Sequence, residues 1–198
     1  MEHFYKKIQG WFMYKKAYDI AINRAQDGYH FVEVGAWKGM STSYMAVNII
    51  NSGKKVQFDV VDTWEGTPNE DNHTTDPAII NGTLYNEFLS NIAPVKDIIN
   101  PIKMSSREAV SLYKDNSLDF VLIDGSHEYE EVKHDITEWL KKVKPGGMMA
   151  GDDYTNWWPG VVRAVDELIP TSEFYEESYM FENGYFSTNV QWIYTKPL

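Results

Sequence analysis

The sequence predicts an α/β domain with a seven-stranded, mostly parallel sheet, helices on both faces and an antiparallel C-terminal strand. Three observations predict it. Short apolar runs alternate with amphipathic stretches along most of the 198 residues, the signature of successive strand–helix units. The run Phe31-Val32-Glu33-Val34 leads straight into Gly35-Ala36-Trp37-Lys38-Gly39-Met40-Ser41-Thr42, which reads as strand, glycine turn and helix start. The last two strand candidates follow one another without a helix between them, as an antiparallel edge requires.

In chain order, Tyr5 to Gln26 read as helical with a break near Gly10, with Ala17, Ile20, Ala21 and Ala25 on one face. Strand one is His30 to Val34. A helix from about Ser41 to Asn51 follows, capped by Ser41 or Thr42 and stopped at Ser52-Gly53. Strand two is Val56 to Asp62. The polar stretch Thr63 to Asp76, with Gly66, Pro68 and Pro77 beside it, is long for a connection, and residues 63–92 read as an insertion or lid. A helix is expected over Thr83 to Ile92, strand three near Ile102 to Met104 and a short helix over Ser106 to Tyr113. Strand four is Leu118 to Asp124. The helix Glu128 to Val143 carries Val132, Ile136, Trp139, Leu140 and Val143 at three- and four-residue spacing. Strand five is Met148 to Gly151, and a helix over Gly160 to Leu168 precedes strands at Ser172 to Glu177 and Val190 to Thr195.

Length and composition fit one domain, residues 1–198, whose first 28 residues form an N-terminal helical segment. The net charge of −11 argues against nucleic acid as a general partner. No apolar run is long enough to span a membrane, and Met1-Glu2-His3-Phe4-Tyr5-Lys6-Lys7 is not followed by the apolar core of a signal peptide. The absence of cysteine excludes thiolate metal sites and cysteine nucleophiles and fits a cytoplasmic protein. Asn72-His73-Thr74 and Asn81-Gly82-Thr83 match the glycosylation pattern, which a cytoplasmic chain would not use. The aromatic N-terminal helix offers a surface for a homodimer.

Ligands of open α/β sheets bind beyond the carboxyl ends of the strands, and this chain sets acids there. The glycine spacing is Gly-x-x-x-Gly, with Trp37 where a dinucleotide fold needs a glycine to approach pyrophosphate. The turn therefore suits a nucleoside without phosphates, of which S-adenosylmethionine is the common one. Asp62 at the end of strand two either accepts both ribose hydroxyls or caps the turn at Thr63 or Trp64. Glu33 either orients the glycine turn or meets the methionine amino group. Ser105 and Ser106 either flank adenine or, for Ser106, cap the next helix. Asp124, Asp152 and Asp153 supply three oxygens from two neighbouring strand ends, suited to Mg²⁺ or another hard divalent cation. Their alternative is capping, of the helix after Gly125 by Asp124 and of a turn by Asp152. His127 lies between the candidate metal and cofactor sites and suits a general base. His134 reads as solvated, and His3, His30 and His73 carry no signal. Tyr129, Tyr154, Trp157 and Trp158 are candidates for a substrate wall or for packing.

Four segments together carry a resemblance. They are Val32 to Ser41, Val60-Val61-Asp62-Thr63-Trp64, Phe120 to Tyr129, and Gly146 to Tyr154. In this order and spacing the chain resembles the class I S-adenosylmethionine-dependent methyltransferases. Among them it is similar to the metal-dependent O-methyltransferases of catechol and of macrolide and aminocoumarin sugars. Gly10-Trp11-Phe12 also resembles a segment found before the first strand in the sugar type. The resemblance implies a Rossmann-like methyltransferase fold and Mg²⁺-dependent transfer of a methyl group to a hydroxyl of a sugar or other small molecule. It implies that Asp62 binds the ribose and that Glu33, Gly35, Ala36, Gly39, Ser41, Thr63, Ser105, Ser106 and Asp124 border the cofactor. It implies too that Asp124, Asp152 and Asp153 hold the metal. Asp153 replaces the asparagine of the catechol type. His127 stands where that type has lysine, and Ser126 where the sugar type has aspartate, so the expected base is His127. The rival expectations are a metal-free N- or carboxyl-methyltransferase, a metal-dependent hydrolase and an NAD-dependent oxidoreductase.

Overall fold

The apolar runs pair side by side in the computed structural model, which describes residues 1–67, 70–180 and 186–198. Seven strands are β1 (His30–Val34), β2 (Gln57–Asp62), β3 (Ile99–Lys103), β4 (Leu118–Ile123), β5 (Val143–Gly151), β6 (Glu173–Met180) and β7 (Phe186–Thr195). They lie in the order β3-β2-β1-β4-β5-β7-β6. The first five run parallel, and β7 inserts antiparallel between β5 and β6. The chain winds outward from β1 through β2 to β3, then returns to place β4 on the other side of β1. The point where the direction reverses, between β1 and β4, is where such sheets open a crevice.

The helices are α1 (Lys15–Arg24), α2 (Met40–Ser52), α3 (Asp71–Thr74), α4 (Pro77–Ile80), α5 (Leu84–Asn91), α6 (Ser106–Ala109), α7 (Tyr129–Lys142) and α8 (Pro159–Leu168). Strand alternation sorts the core into two layers. Phe31, Phe58, Val60, Phe120 and Leu122 face α1, α2 and α5, where they meet Tyr18, Met45, Ala46 and Phe88. Val32, Val34, Val61, Val121 and Ile123 face α6, α7 and α8, where they meet Ile136, Trp139, Ala164 and Val165. All six residues of β4 are buried, as a strand covered on both faces must be.

The departures from expectation have local causes. The N-terminal helix breaks over residues 8–14 rather than at Gly10 alone, leaving a 3₁₀ turn at Tyr5–Lys7 and α1. Gln191 on β7 takes over the first turn of α1, accepting from the Ala17 amide at 2.8 Å, so α1 buries Tyr18 and Ile22 in preference to Ile20. Of the N-terminal aromatics, Phe12, Tyr14 and Tyr18 are buried in the core, whereas Trp11 stays exposed. β5 starts at Val143, pairs there with Leu118, and shifts register before Phe120 meets Met148. Neither Ser41 nor Thr42 caps α2. That place belongs to Gly39 in a left-handed conformation, and both hydroxyls turn to Glu33.

The 63–92 insertion holds α3, α4 and α5, while Pro68 lies outside the described residues. Lys38 ties this insertion to the glycine turn. Its buried ammonium meets Asp76, the N-cap of α4, at 2.9 Å and Glu87 of α5 at 3.1 Å. Among the described residues no helix is long and apolar enough to cross a membrane.

Candidate active site

The crevice at the β1/β4 switch is a cavity of about 720 Å³. Its floor is the glycine turn. The Asp124 amide donates to the Val34 carbonyl at 2.7 Å, and a Cβ on Gly35 would sit 2.0 Å from the Asp124 carbonyl oxygen. Gly35 is thus fixed by the approach of β4 as well as by its φ of +90°. Gly35, Ala36, Ser41, Asp62, Thr63, Ser105, Ser106, Asp124, Asp152, Asp153 and His127 all line the cavity. Glu33 and Gly39 do not. Glu33 lies buried beneath the turn, accepting from Ser41 and Thr42, and burial raises its pKa to about 7. It organises the start of α2 from below.

Asp62 works for the turn on both oxygens. Oδ2 accepts from the Ala36 and Trp37 amides at 2.8 and 3.0 Å, and Oδ1 from the Trp64 amide at 2.7 Å. The turn contact at Trp64 is present, and Asp62 also lines the cavity. Ser105, not Ser106, caps α6, in a reciprocal capping box with Glu108. Ser106 instead donates to Asp135 at 2.5 Å and accepts from the Trp139 indole at 2.8 Å.

Asp124 does not cap the helix after β4. Glu128 occupies the N-cap of α7 and makes no side-chain cap bond. Asp152 is 7% exposed, and its Oδ1 is buried without a partner among the described residues. Burial, then the charges of Asp153 and Asp124, push its pKa well above the usual carboxylate range. Burial and the charge of Asp153 do the same to Asp124, against the pull of His127 and the Tyr14 hydroxyl. Asp153 takes a φ of +63° and accepts from Asn189 at 2.8 Å. Ligand atoms of Asp124, His127 and Asp153 lie within 4.8 Å of one another.

His127 is gripped on both nitrogens. Nδ1 faces Glu70 at 2.8 Å, Nε2 faces Asp153 at 2.7 Å, and the ring stacks on Trp158 at 3.9 Å. Burial disfavours the imidazolium, but the two carboxylates outweigh it and raise the pKa to about 10. The two carboxylates thus favour the imidazolium form of the ring over the neutral one.

Trp157 and Trp158 line the cavity, whereas Tyr129 and Tyr154 bind Glu167 and Asp166 on α8 and do not. His134 is half-buried beside Asp135 rather than solvated. Sequence reasoning missed Glu70, Tyr14, Asn189 and Asp135, which lack motif spacing. It also missed His73, which stacks on Trp37 at 4.2 Å above the turn.

A switch-point crevice with a glycine turn and a strand-end acid defines a nucleoside-binding α/β domain. A family profile described as "Methyltransferase domain" matches residues 32–154, and the chain belongs to that family, within the class I S-adenosylmethionine-dependent methyltransferases. An uncharacterized protein, R132, of Acanthamoeba polyphaga mimivirus is 29% identical over 157 residues. That match covers 76% of this chain and 64% of the viral protein, so the chain spans less than two thirds of that relative. Among solved structures, a putative rRNA methylase from Clostridium thermocellum superposes with a TM-score of 0.61 at 14% identity, covering 96% of this chain and 98% of that one. A SAM-dependent O-methyltransferase from Thermotoga maritima superposes with 0.62 at 12% identity, covering 97% and 68%. At these identities the two structures share the fold, and a fold by itself does not name an acceptor.

Proposed function

We propose that this chain is a Mg²⁺-dependent O-methyltransferase that methylates a hydroxyl of a sugar or other small molecule. The observation that carries the reading is the convergence of Asp124, His127 and Asp153 ligand atoms within 4.8 Å, beside the buried, unpartnered oxygen of Asp152, at the rim of the cofactor crevice. A carboxylate cluster this crowded fits a hard cation, because burial and the neighbouring carboxylates disfavour the ionised forms of Asp152 and Asp124. Asp124, Asp152 and Asp153 would hold the ion, which when bound supplies positive charge for a developing alkoxide. The cysteine-free composition supports a cytoplasmic setting.

The chain's own residues do the positioning. Gly35 and Ala36 present backbone to the cofactor, whose sulfonium methyl is the group transferred. Asp62, with lone pairs beyond those used by the turn, accepts the ribose hydroxyls. Trp157 and Trp158 wall the acceptor side. The acceptor oxygen forms the new C–O bond, the C–S electrons stay on sulfur, and the hydroxyl proton leaves to a base. His127 would take that proton once Nε2 has given its own proton to solvent and released Asp153.

One observation favours the metal-free reading. His127 already places a cation between Glu70 and Asp153. A radiolabelled methyl-transfer assay over sugars and phenols, before and after exhaustive chelation, separates the two. Activity lost with chelator and restored by Mg²⁺ supports the proposal, and activity that survives chelation supports the metal-free alternative.

A further inference from the structure

β7 runs past the end of β5 and so reaches the acid cluster. The two strands pair over Met148 to Gly151 against Thr195 to Trp192, and beyond Gly151 the chain leaves the sheet into Asp152 and Asp153. β7 continues against β6, with Asn189 in register with Glu177. The Tyr154 amide donates to the Val190 carbonyl at 2.9 Å, so a backbone bond already fastens the loop to the strand. Asn189 adds a side-chain bond that this fastening does not require.

Asn189 is 6% exposed and lines the cavity. Its Oδ1 accepts from the Val190 amide at 2.9 Å, which fixes the orientation of the side-chain amide and leaves Nδ2 to donate. Nδ2 donates to Asp153 Oδ1 at 2.8 Å. Asp153 Oδ2 instead faces His127 Nε2 at 2.7 Å, and Asp153 and His127 converge with Asp124 as candidate ligands. The backbone of Asp153 is itself constrained, at a φ of +63° that residues other than glycine seldom adopt. One oxygen of Asp153 is thus committed to β7, and the other is turned to the cluster.

Hard divalent cations differ in what they ask of such a carboxylate. Mg²⁺ is small, demands near-octahedral geometry and dehydrates reluctantly, so single oxygens suit it. Ca²⁺ gathers roughly six to eight oxygens in flexible arrangements and takes carboxylates through one oxygen or both. A carboxylate with one oxygen tied down serves the first ion fully and the second only in part.

We infer that Asn189 is a positioning residue that sets the metal specificity of the acid cluster. By holding Asp153 Oδ1 it confines Asp153 to giving a single oxygen, which biases the cluster toward Mg²⁺ and against Ca²⁺. The inference rests on the Mg²⁺ reading of the cluster. Asn189 acts through Asp153 rather than on the ion, as hydrogen-bond partners of metal-binding carboxylates do.

Calorimetric titration of Mg²⁺ and of Ca²⁺ into the wild type and Asn189→Ala tests this, with S-adenosylhomocysteine binding as the check on the fold. The ratio of Mg²⁺ to Ca²⁺ affinity is expected to fall by about tenfold or more in the variant, the scale on which such partners affect metal binding. A merely structural role would weaken both ions together. A ratio unchanged in Asn189→Ala, whether both affinities hold or both fall, therefore overturns the inference. No uptake of either ion by the wild type overturns the metal reading, and this inference with it. A crystal structure of the wild type with Mg²⁺ covers the case of a variant that no longer binds S-adenosylhomocysteine. Asp153 giving the ion one oxygen, with Asn189 Nδ2 within roughly 3.2 Å of the other, supports the inference. Both Asp153 oxygens on the ion, or Asn189 turned away, contradict it.

Discussion

The two ends of the crevice differ in how far the protein satisfies its own polar groups. Under the glycine turn every acid is spoken for. Asp62 accepts three backbone amides and Glu33 two hydroxyls. Beyond β4 and β5 the acids crowd one another. Asp152 keeps an oxygen buried and unpaired, and both Asp124 and Asp152 are driven toward protonation. The turn is a finished cradle that needs only its ligand's shape. The acid cluster is stable in its ionised form only if positive charge is added, which His127 supplies in part.

Breaking the finished end should cost most. Gly35→Ala sets a methyl group 2.0 Å from the Asp124 carbonyl oxygen and strains a left-handed backbone. A loss of about 3–5 kcal/mol is expected, read by urea denaturation. Little change would mean that β4 and the turn are looser than described.

At the unfinished end, stability and activity should move in opposite directions. Asp152→Asn replaces a carboxyl whose ionised form burial and like charges disfavour with a neutral amide. The variant is expected to gain about 1–3 kcal/mol of stability without added metal while losing orders of magnitude in methyl transfer. Loss of both together would make Asp152 an ordinary structural residue.

The smallest effect concerns pH. The folded protein holds the Glu33 pKa at about 7, above its ordinary value of 4.5. Its stabilising contribution is therefore complete below pH 4.5 and is lost as the pH rises through about 7. Thermal melts of Glu33→Gln should show a flatter profile across that window. Asp124 and Asp152, also raised, act in the same direction, but Mg²⁺ should remove their share and leave that of Glu33, which does not touch the cavity. A wild-type slope unchanged in Glu33→Gln would place the titrating group elsewhere.

Much of this contrast could be read before the structure. β1, β2 and β4 showed themselves as apolar runs closing on Val34, Asp62 and Asp124, because a strand buried on both faces leaves little ambiguity of period. The parallel order and the antiparallel return followed from the spacing of helices. What the sequence did not show depends on side chains meeting across long separations. Ser41 and Thr42 looked like caps because nothing in the sequence reveals that Glu33 competes for their hydroxyls. Glu70 lies in a turn-rich stretch without periodicity, so its grip on His127 had no local sign. That grip favours the imidazolium form of His127. Asp135 was hidden by being the polar member of an otherwise apolar helix face.

The central claim, that the acid cluster awaits a divalent cation while the turn does not, is tested most directly by titrating Mg²⁺ into the wild type and Asp152→Asn by calorimetry. S-adenosylhomocysteine binding should be followed in parallel. The account predicts Mg²⁺ uptake by the wild type, its loss in Asp152→Asn, and nearly equal S-adenosylhomocysteine affinity in both. No Mg²⁺ uptake by the wild type, or equal uptake by the two proteins, would contradict it.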